Sequence, residues 1–516
     1  MKLLSTSLLN HDSGFSFMED GSLVDTILFE RYTRRKHEPE FIHNLFVSKQ
    51  KETQTPTVSI SQFLFYDNGS AKKLGNILSD TCNVEVDIKT DDHHKCHAHC
   101  GYYTSSFDEA LCIVIDGAGS LLEDHKCEIE SVYIMKGGKI SETVYKRFSD
   151  FYKIGQMNED FLKNPSVGLF REYNWEDFSI GSYYQNACLS IGMRWCDGGK
   201  LMGLAQYKDH KDKLPSEYSG AEWHDKVDFA YEVQKTTEKK VLKIVEKYSK
   251  QTGIKNIILS GGVFLNCVSN YNLVKNLPNL KFHVDPMCSD NGISTGKALM
   301  SYIEKTDKLP NRIKNSYLGY SDPYINCYGR GDKVDYSDII DILLSGDIVA
   351  LFQGKSEVGQ RSLGNRSLLF DARNKDGRTI VNEIKKREDY RPFAATVLQE
   401  YAHEWFDLKT LEESPTMSFA VDAYDKTIKE VPSVIHADGT CRIQTVTEEQ
   451  NPHFYNLILE FYKRTGVPML LNTSFNLAGE PLVETYEQAL FTLVRSKLKY
   501  LYIPEKSVLV QRPIDE

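Results

Sequence analysis

Residues 93–119 read His93-His94-Lys95-Cys96-His97-Ala98-His99-Cys100, a short spacer, then Ala110-Leu111-Cys112-Ile113-Val114-Ile115-Asp116-Gly117-Ala118-Gly119. At roughly 100° per residue, His93 and His97 lie about 40° apart on one helical face, the spacing one metal ion needs from two imidazoles. The apolar run that follows reads as a buried strand ending in a carboxylate and two glycines. Asp116 is ionised at neutral pH, and Gly117 and Gly119 let backbone N–H groups approach an anion or phosphate. Together they point to a metal and nucleotide site. Cys96 and Cys100 also fall near the His93 face, so a structural zinc site is the competing reading. No second Cys-x-x-Cys or His pair of zinc-finger spacing supports it.

Working outward, the same order of features occurs earlier in the chain. Residues 3–9 form an apolar run closed by His11-Asp12-Ser13-Gly14, and Phe15–Met18 and Leu23–Phe29 flank an Asp20-Gly21 turn. After Asp116, Ile129–Met135 and Ile140–Val144 flank Gly137-Gly138 in the same way. Two copies of strand, acidic glycine loop and hairpin indicate an internal duplication, as in actin-like and sugar-kinase-like ATPase folds. Between the copies, Phe29 to His37 carries Arg31, Arg34, Arg35 and Lys36, either a solvated basic helix end or an acceptor contact. Residues 50–58 and 66–73 are polar and read as loops.

A chain of 516 residues exceeds one ordinary core, so two or three domains are expected. With 62 Lys and Arg against 72 Asp and Glu, the net charge of −10 disfavours nonspecific duplex binding through a general positive field. Eleven scattered cysteines make no disulfide framework, which suits a reducing cytoplasm. No apolar run reaches the roughly 18–20 residues of a membrane span.

Further along, Ser182–Met193 and Trp223–Lys250 have helical periodicity, with Gly199–Ala205, including Gly203, separating them. Asn256–Ser260 reads as a buried strand running into Gly261-Gly262-Val263 and Asn266, where backbone amides and a helix dipole can hold a nucleotide. Ser289-Asp290-Asn291-Gly292 opens a helix over 293–303; spacing leaves Asp290 equally a cap or a ligand. Residues 305–333 read as a linker. Beyond it, strand 348–352 leads into a loop with Lys355, Arg361 and Arg366, followed by Lys385, Arg387 and Arg391, and by Asn472, Ser474 and Asn476 after strand 467–471. Helices are expected over 452–465 and 486–496. Arginines clustered at strand ends and glycine loops suit a pocket for small, highly charged anions, because a guanidinium binds phosphate oxygens through two parallel hydrogen bonds.

These motifs resemble the O-carbamoyltransferases of the nodulation and antibiotic-tailoring type. The most specific pieces are His11-Asp12-Ser13, Glu30-Arg31 with Thr33-Arg34, His93 to Ala98, Ile115-Asp116-Gly117, Met202-Gly203-Leu204-Ala205, Gly261-Gly262-Val263 with Leu265-Asn266, Gly364-Asn365-Arg366-Ser367, Arg391-Pro392-Phe393-Ala394, Asp438-Gly439-Thr440 and Leu471 to Asn476 with Gly479-Glu480-Pro481. The resemblance implies an α/β chain: a duplicated actin-like domain, similar to threonylcarbamoyl transferases, over 1–312, and an α+β YrdC-like domain over 313–516. It implies that carbamoyl phosphate and ATP form carbamoyladenylate in the second domain, held by Lys355, Arg361, Arg366, Lys385, Arg387 and Arg391 with Asn472, Ser474 and Asn476. Transfer to a hydroxyl would follow in the first domain. There His93, His97, Asp116 and Asp290 would hold a divalent ion, Fe2+ foremost with Mg2+ or Mn2+ as alternatives. Gly117, Gly119, Gly203, Gly261, Gly262, Val263 and Asn266 would hold the nucleotide, and His11 beside Asp12 would be the base. The acceptor would be a sugar or natural product, or the hydroxymethyl group of a modified pyrimidine in a nucleotide or DNA; a homodimer is left open. Threonylcarbamoyl transfer to tRNA and a nonenzymatic actin-like nucleotide-binding protein are the alternatives. Gln360, Ser362, Phe29 and Ala478 depart from the family pattern, Phe29 and Ala478 at positions that could alter pocket contacts.

Overall fold

The computed structural model describes residues 1–8, 11–37, 42–62, 68–122, 124–322 and 331–512. It divides into two compact units, Met1–Met202 with Phe229–Leu318, and Gly203–Asp228 with Gly319–Glu516. Both mix helices and sheets, the α/β class expected. Among the described residues no helix is long and apolar enough to cross a membrane.

The first unit contains two five-stranded sheets. One is built from β1 (Lys2–Leu8), β2 (Gly14–Glu19), β3 (Ser22–Leu28), β4 (Thr57–Gln62) and β5 (Glu85–Lys89), in the order β3-β2-β1-β4-β5. The other is built from β6 (Glu109–Ile115), β7 (Lys126–Lys136), β8 (Lys139–Asp150), β9 (Asn256–Ser260) and β10 (Lys281–Val284), in the order β10-β9-β6-β7-β8. In each sheet the first three strands form an antiparallel meander and the last two run parallel to the first. The sequence repeat is therefore a repeat of topology. Both hairpin turns, Asp20-Gly21 and Gly137-Gly138, have positive φ at both residues, the twist that matches right-handed strands.

Helices His93–Thr104 and Ile293–Thr306 pack in one apolar core with strands of both sheets, through Ala98, Tyr102, Leu299 and Ile303 against Leu3, Met18, Val114 and Ile258. They come close at Gly296, where a Cβ would meet the carbonyl oxygen of Cys96 at 2.0 Å. That close approach fixes how the His93 helix is presented.

Three sequence expectations need correction, and a fourth does in part. Residues 50–58 are not a loop: helix His43–Thr53 runs into them, and β4 begins at Thr57. Gln50, Thr53, Thr55 and Thr57 are buried, and Gln50 Nε2 donates to the Thr55 carbonyl at 3.1 Å, while Lys51, Glu52 and Gln54 face outward, so composition misleads. Of 66–73, residues 66–67 lie outside the described residues and the rest begin helix Asn68–Cys82. Gly199–Ala205 is helical within Gly198–Ala205, because Leu201 and Leu204 are buried. The 305–333 stretch begins as helix up to Thr306 and continues without regular structure to residue 322, while residues 323–330 lie outside the described residues. Part of it is strapped to the first unit by Arg312, whose guanidinium lies 4.0 Å from the Tyr102 ring centroid, and by Ile313 N–H donating to Tyr103.

The second unit contains a ten-stranded mixed sheet. Its strands are β11 (Asp332–Lys333), β12 (Val349–Phe352), β13 (Arg366–Phe370), β14 (Ala394–Leu398), β15 (Phe406–Asp407), β16 (Phe419–Ala423), β17 (Thr440–Val446), β18 (Met469–Ser474), β19 (Tyr500–Ile503) and β20 (Val508–Gln511). They lie in the order β11-β20-β19-β12-β13-β18-β14-β17-β16-β15. Helices Pro452–Thr465 and Tyr486–Arg495 fall where periodicity placed them.

Candidate metal centre and anion site

The first helical turn carrying His93 and His97, the end of β6 carrying Asp116, and the short turn Asp290–Gly292 converge on one buried point. One ligand atom from each of His93, His97, Asp116 and Asp290 lies within 4.8 Å of the others. His93 Nε2 is 3.2 Å from Asp116 Oδ2 and 3.4 Å from Asp290 Oδ1; His97 Nε2 is 3.6 and 3.7 Å from the same two atoms. Asp290 does not cap the next helix, whose N-terminus has no side-chain cap. Asp116 is aimed by Gly262 N–H, 3.1 Å from its Oδ1. Gly261, with φ of 97°, permits this approach, since a Cβ there would meet the Ile115 carbonyl at 2.3 Å.

Burial opposes protonation of His93, but Asp290 and Asp116 push it up to about 10. Burial likewise disfavours an ionised Asp116, yet both histidines hold it well below the usual carboxylate range. His97 Nε2 has no partner within hydrogen-bond distance among the described residues although fully buried. Two imidazole nitrogens and two carboxylates, one nitrogen orphaned, are a donor set that fits a first-row divalent ion. Cys96 and Cys100 point elsewhere, towards Met300 and Asp285, so the zinc alternative loses its sulfur ligands.

Next to this cluster, Asp12, in a left-handed conformation with φ of 58°, bonds two histidines: its Oδ2 is 3.2 Å from His11 Nδ1 and its Oδ1 2.9 Å from His37 Nδ1. His11 Nε2 lies 3.7 Å from Asp290 Oδ2. Burial lowers the His11 pKa, but Asp290 and Asp12 outweigh it and raise it to about 9. Trp195, 38% exposed, packs against both imidazoles with centroids 5.2 and 5.5 Å away.

The remaining residues of the nucleotide expectation separate. Gly117 accepts from Ser179 Oγ at 2.7 Å, and Val263 lies in the turn Gly262–Leu265. Gly119 is required by packing, since a Cβ would meet the His94 ring at 2.7 Å. Asn266 caps helix Cys267–Asn276 and exchanges hydrogen bonds with Gln234, a structural use of its amide. Gly203 belongs to the second unit.

In the second unit, Lys385 ends helix Gly377–Lys385, and its Nζ donates to Ser474 Oγ at 3.2 Å and Asn476 Oδ1 at 2.8 Å. Asn472 bonds Thr396 and Gln444, and meets the 353–365 loop at the Ser362 carbonyl, 3.4 Å away. Lys355 and Arg361 lie on that loop, which Glu357 holds: its Oε1 accepts from the N–H groups of Leu363, Asn365 and Arg366 at 2.6, 2.8 and 3.1 Å. Arg387 stacks 4.2 Å over Phe393, and burial followed by Arg391 and Arg442 pushes its pKa well down. Cations held together this way are relieved by an anion. Arg366 is different. Fully buried and stacked 3.7 Å over Phe352, it donates to the carbonyls of Asn365, Gly354 and Glu484, so it ties backbone together. Sequence reasoning missed Glu357, which holds the 353–365 loop, and Arg442, which acts on Arg387; a buried carboxylate serving three amides has no periodic signal.

An α/β protein with a buried two-histidine, two-aspartate centre in one unit and an arginine cluster in the other belongs to a recognisable class. Family models described as carbamoyltransferase N-terminus and carbamoyltransferase C-terminus match residues 70–222 and 214–299, and 340–511. The chain belongs to the carbamoyltransferase family and is a carbamoyltransferase enzyme. Its relatives include nodulation protein NolNO of Sinorhizobium fredii, 29% identical over 83% of this chain and 65% of that protein. Nodulation protein NolO of Bradyrhizobium diazoefficiens is 29% identical over 80% of this chain and 77% of that protein. An uncharacterized Synechocystis protein is 27% identical over 100% and 98%. Among solved structures, HypF of T. kodakarensis is 13% identical with a TM-score of 0.38, covering 59% of this chain and 48% of that one, too loose a likeness to carry an argument.

Proposed function

We propose that this carbamoyltransferase is an ATP-dependent O-carbamoyltransferase, with an actin-like first unit and a YrdC-like second unit. Carbamoyl phosphate is cleaved by water to carbamate and phosphate. A carbamate oxygen then attacks the α-phosphorus of ATP, giving carbamoyladenylate and releasing pyrophosphate. Arg387, Arg391 and Lys385 neutralise these anions, with Arg361 and Lys355 on the loop that Glu357 braces. In the first unit an acceptor hydroxyl attacks the carbamoyl carbon, the bond to the adenylate oxygen breaks, and AMP leaves.

Asp290 is the chief group holding His11 protonated, so with that charge offset by a bound ion the neutral His11 takes the hydroxyl proton at Nε2. Asp12, on its Nδ1, fixes the tautomer and steadies the imidazolium that forms. His93, His97, Asp116 and Asp290 would hold the divalent ion. When bound, that ion, iron foremost with magnesium or manganese as alternatives, supplies Lewis-acid polarisation and offsets the charge of Asp290. Gly262 N–H keeps Asp116 aimed, and burial keeps water from the reactive anhydride.

The observation that carries this reading is the convergence of those four residues beside an Asp-oriented histidine in a chain of this family. The acceptor is a sugar or natural product, or a hydroxymethylated pyrimidine of a nucleotide or DNA. The test is pyrophosphate release from ATP by purified, metal-loaded protein with and without carbamoyl phosphate, with mass spectrometry for one added carbamoyl group on each acceptor class. Release that depends on carbamoyl phosphate supports the proposal; none with any hydroxylated acceptor pool ends it.

A further inference from the structure

We infer that Asp285 and Ser260 are positioning residues for the metal ligand His97, acting as a carboxylate–hydroxyl–imidazole relay behind it. Ser260 Oγ lies 3.4 Å from His97 Nδ1 and donates to Asp285 Oδ2 at 2.9 Å. With its proton committed to Asp285, the serine oxygen accepts from Nδ1–H of His97. That selects the tautomer whose Nε2 lone pair faces Asp116 and Asp290. All three groups are buried, so no water competes for these bonds.

The other oxygen of Asp285 is also committed. Oδ1 accepts from Met287 N–H at 2.9 Å and faces Cys100 Sγ at 3.6 Å. One carboxylate thus braces the His97 helix through Cys100, the end of β9 through Ser260, and the turn that leads to Asp290 through Met287. Three of the four ligands, His93, His97 and Asp290, come from the elements it ties together. Ligand imidazoles whose second nitrogen is held by such partners bind metal more tightly, and losing the partner typically costs about 10–100-fold in affinity.

The inference rests on the reading of His93, His97, Asp116 and Asp290 as metal ligands, and the experiment separates the two. Co2+ alone is titrated by calorimetry and visible absorption into the full-length wild type, Ser260→Ala, Asp285→Asn and the double variant, and the melting temperature of each metal-free protein is measured. The expected result is a 10–100-fold weaker Co2+ affinity in each single variant, a changed absorption band, and a double variant no weaker than the weaker single, because both cut one chain. If Asp285→Asn does not fold, Ser260→Ala decides alone. Wild-type affinity in Ser260→Ala, or losses that add in full in the double variant, overturn the relay while leaving the metal reading in place. A lowered melting temperature with unchanged affinity also overturns it. A wild type that binds no Co2+ removes both.

Discussion

His11 Nε2 lies 3.7 Å from Asp290 Oδ2, while Oδ1 of the same carboxylate lies 3.4 Å from His93 Nε2. Asp290 therefore joins the proposed base to the proposed metal centre through its two oxygens. His11→Asn should lower carbamoyl transfer about 10²–10⁴-fold, the range of a lost general base, and leave carbamoyl phosphate-dependent pyrophosphate release near wild type. Assaying the two half-reactions separately checks this, and equal losses in both would argue for misfolding instead.

Asp116 and Asp290 are buried carboxylates opposite two imidazoles. Asp116→Asn and Asp290→Asn should purify with little bound divalent ion and lose transfer. In the wild type a chelator should abolish transfer, and added Fe2+, Mn2+ or Mg2+ should restore it. Elemental analysis alongside the transfer assay reads both effects.

Glu357 is fully buried, with three amides on one oxygen. Glu357→Gln weakens charge-assisted bonds and should destabilise the protein by about 1–3 kcal/mol in urea unfolding. Because the same loop carries Arg361, the KM for carbamoyl phosphate should rise more than the melting temperature change alone explains.

Half-buried His283 and buried His436, both outside the proposed metal centre, should make the protein acid-labile. Burial lowers His283 and His436 to about 4, helped by Arg312 in the first case and by Arg442 and Arg378 in the second. A histidine near 6.5 when unfolded and near 4 when folded binds its proton in the unfolded state first. Stability is therefore present in full above about 6.5 and falls as pH drops towards 4, by roughly 3 kcal/mol for each group at most. His436→Gln, which keeps a polar group beside Gln206, should flatten that decline in unfolding measured from pH 7 to 4.5.

Much of the first unit was legible because its signals are local. The i, i+4 histidines, the strand ending at Asp116, and the Asp-Gly and Gly-Gly turns each follow from neighbouring residues, and the repeated order exposed the repeated sheets. Asp290 was different: its spacing fits a helix cap as well as a ligand, and only the resemblance singled it out. Asp285 and Ser260 carried no signal, since their role depends on β9 and β10 lying side by side. Arg366 and Asn266 show the reverse difficulty. Their residue types suit anions and nucleotides, while the structure has Arg366 donating to backbone carbonyls and Asn266 capping a helix. The polar run at 50–58 misled for the same reason.

The central claim is that one chain makes an activated carbamoyl group in one unit and transfers it at the metal centre of the other. The most direct test is a paired assay on wild type, His93→Ala and Arg387→Ala, following pyrophosphate release and movement of labelled carbamoyl to an acceptor hydroxyl. The account predicts that His93→Ala keeps carbamoyl phosphate-dependent pyrophosphate release and loses transfer, while Arg387→Ala loses both. Transfer at the wild-type rate by His93→Ala, or pyrophosphate release indifferent to carbamoyl phosphate, would contradict it.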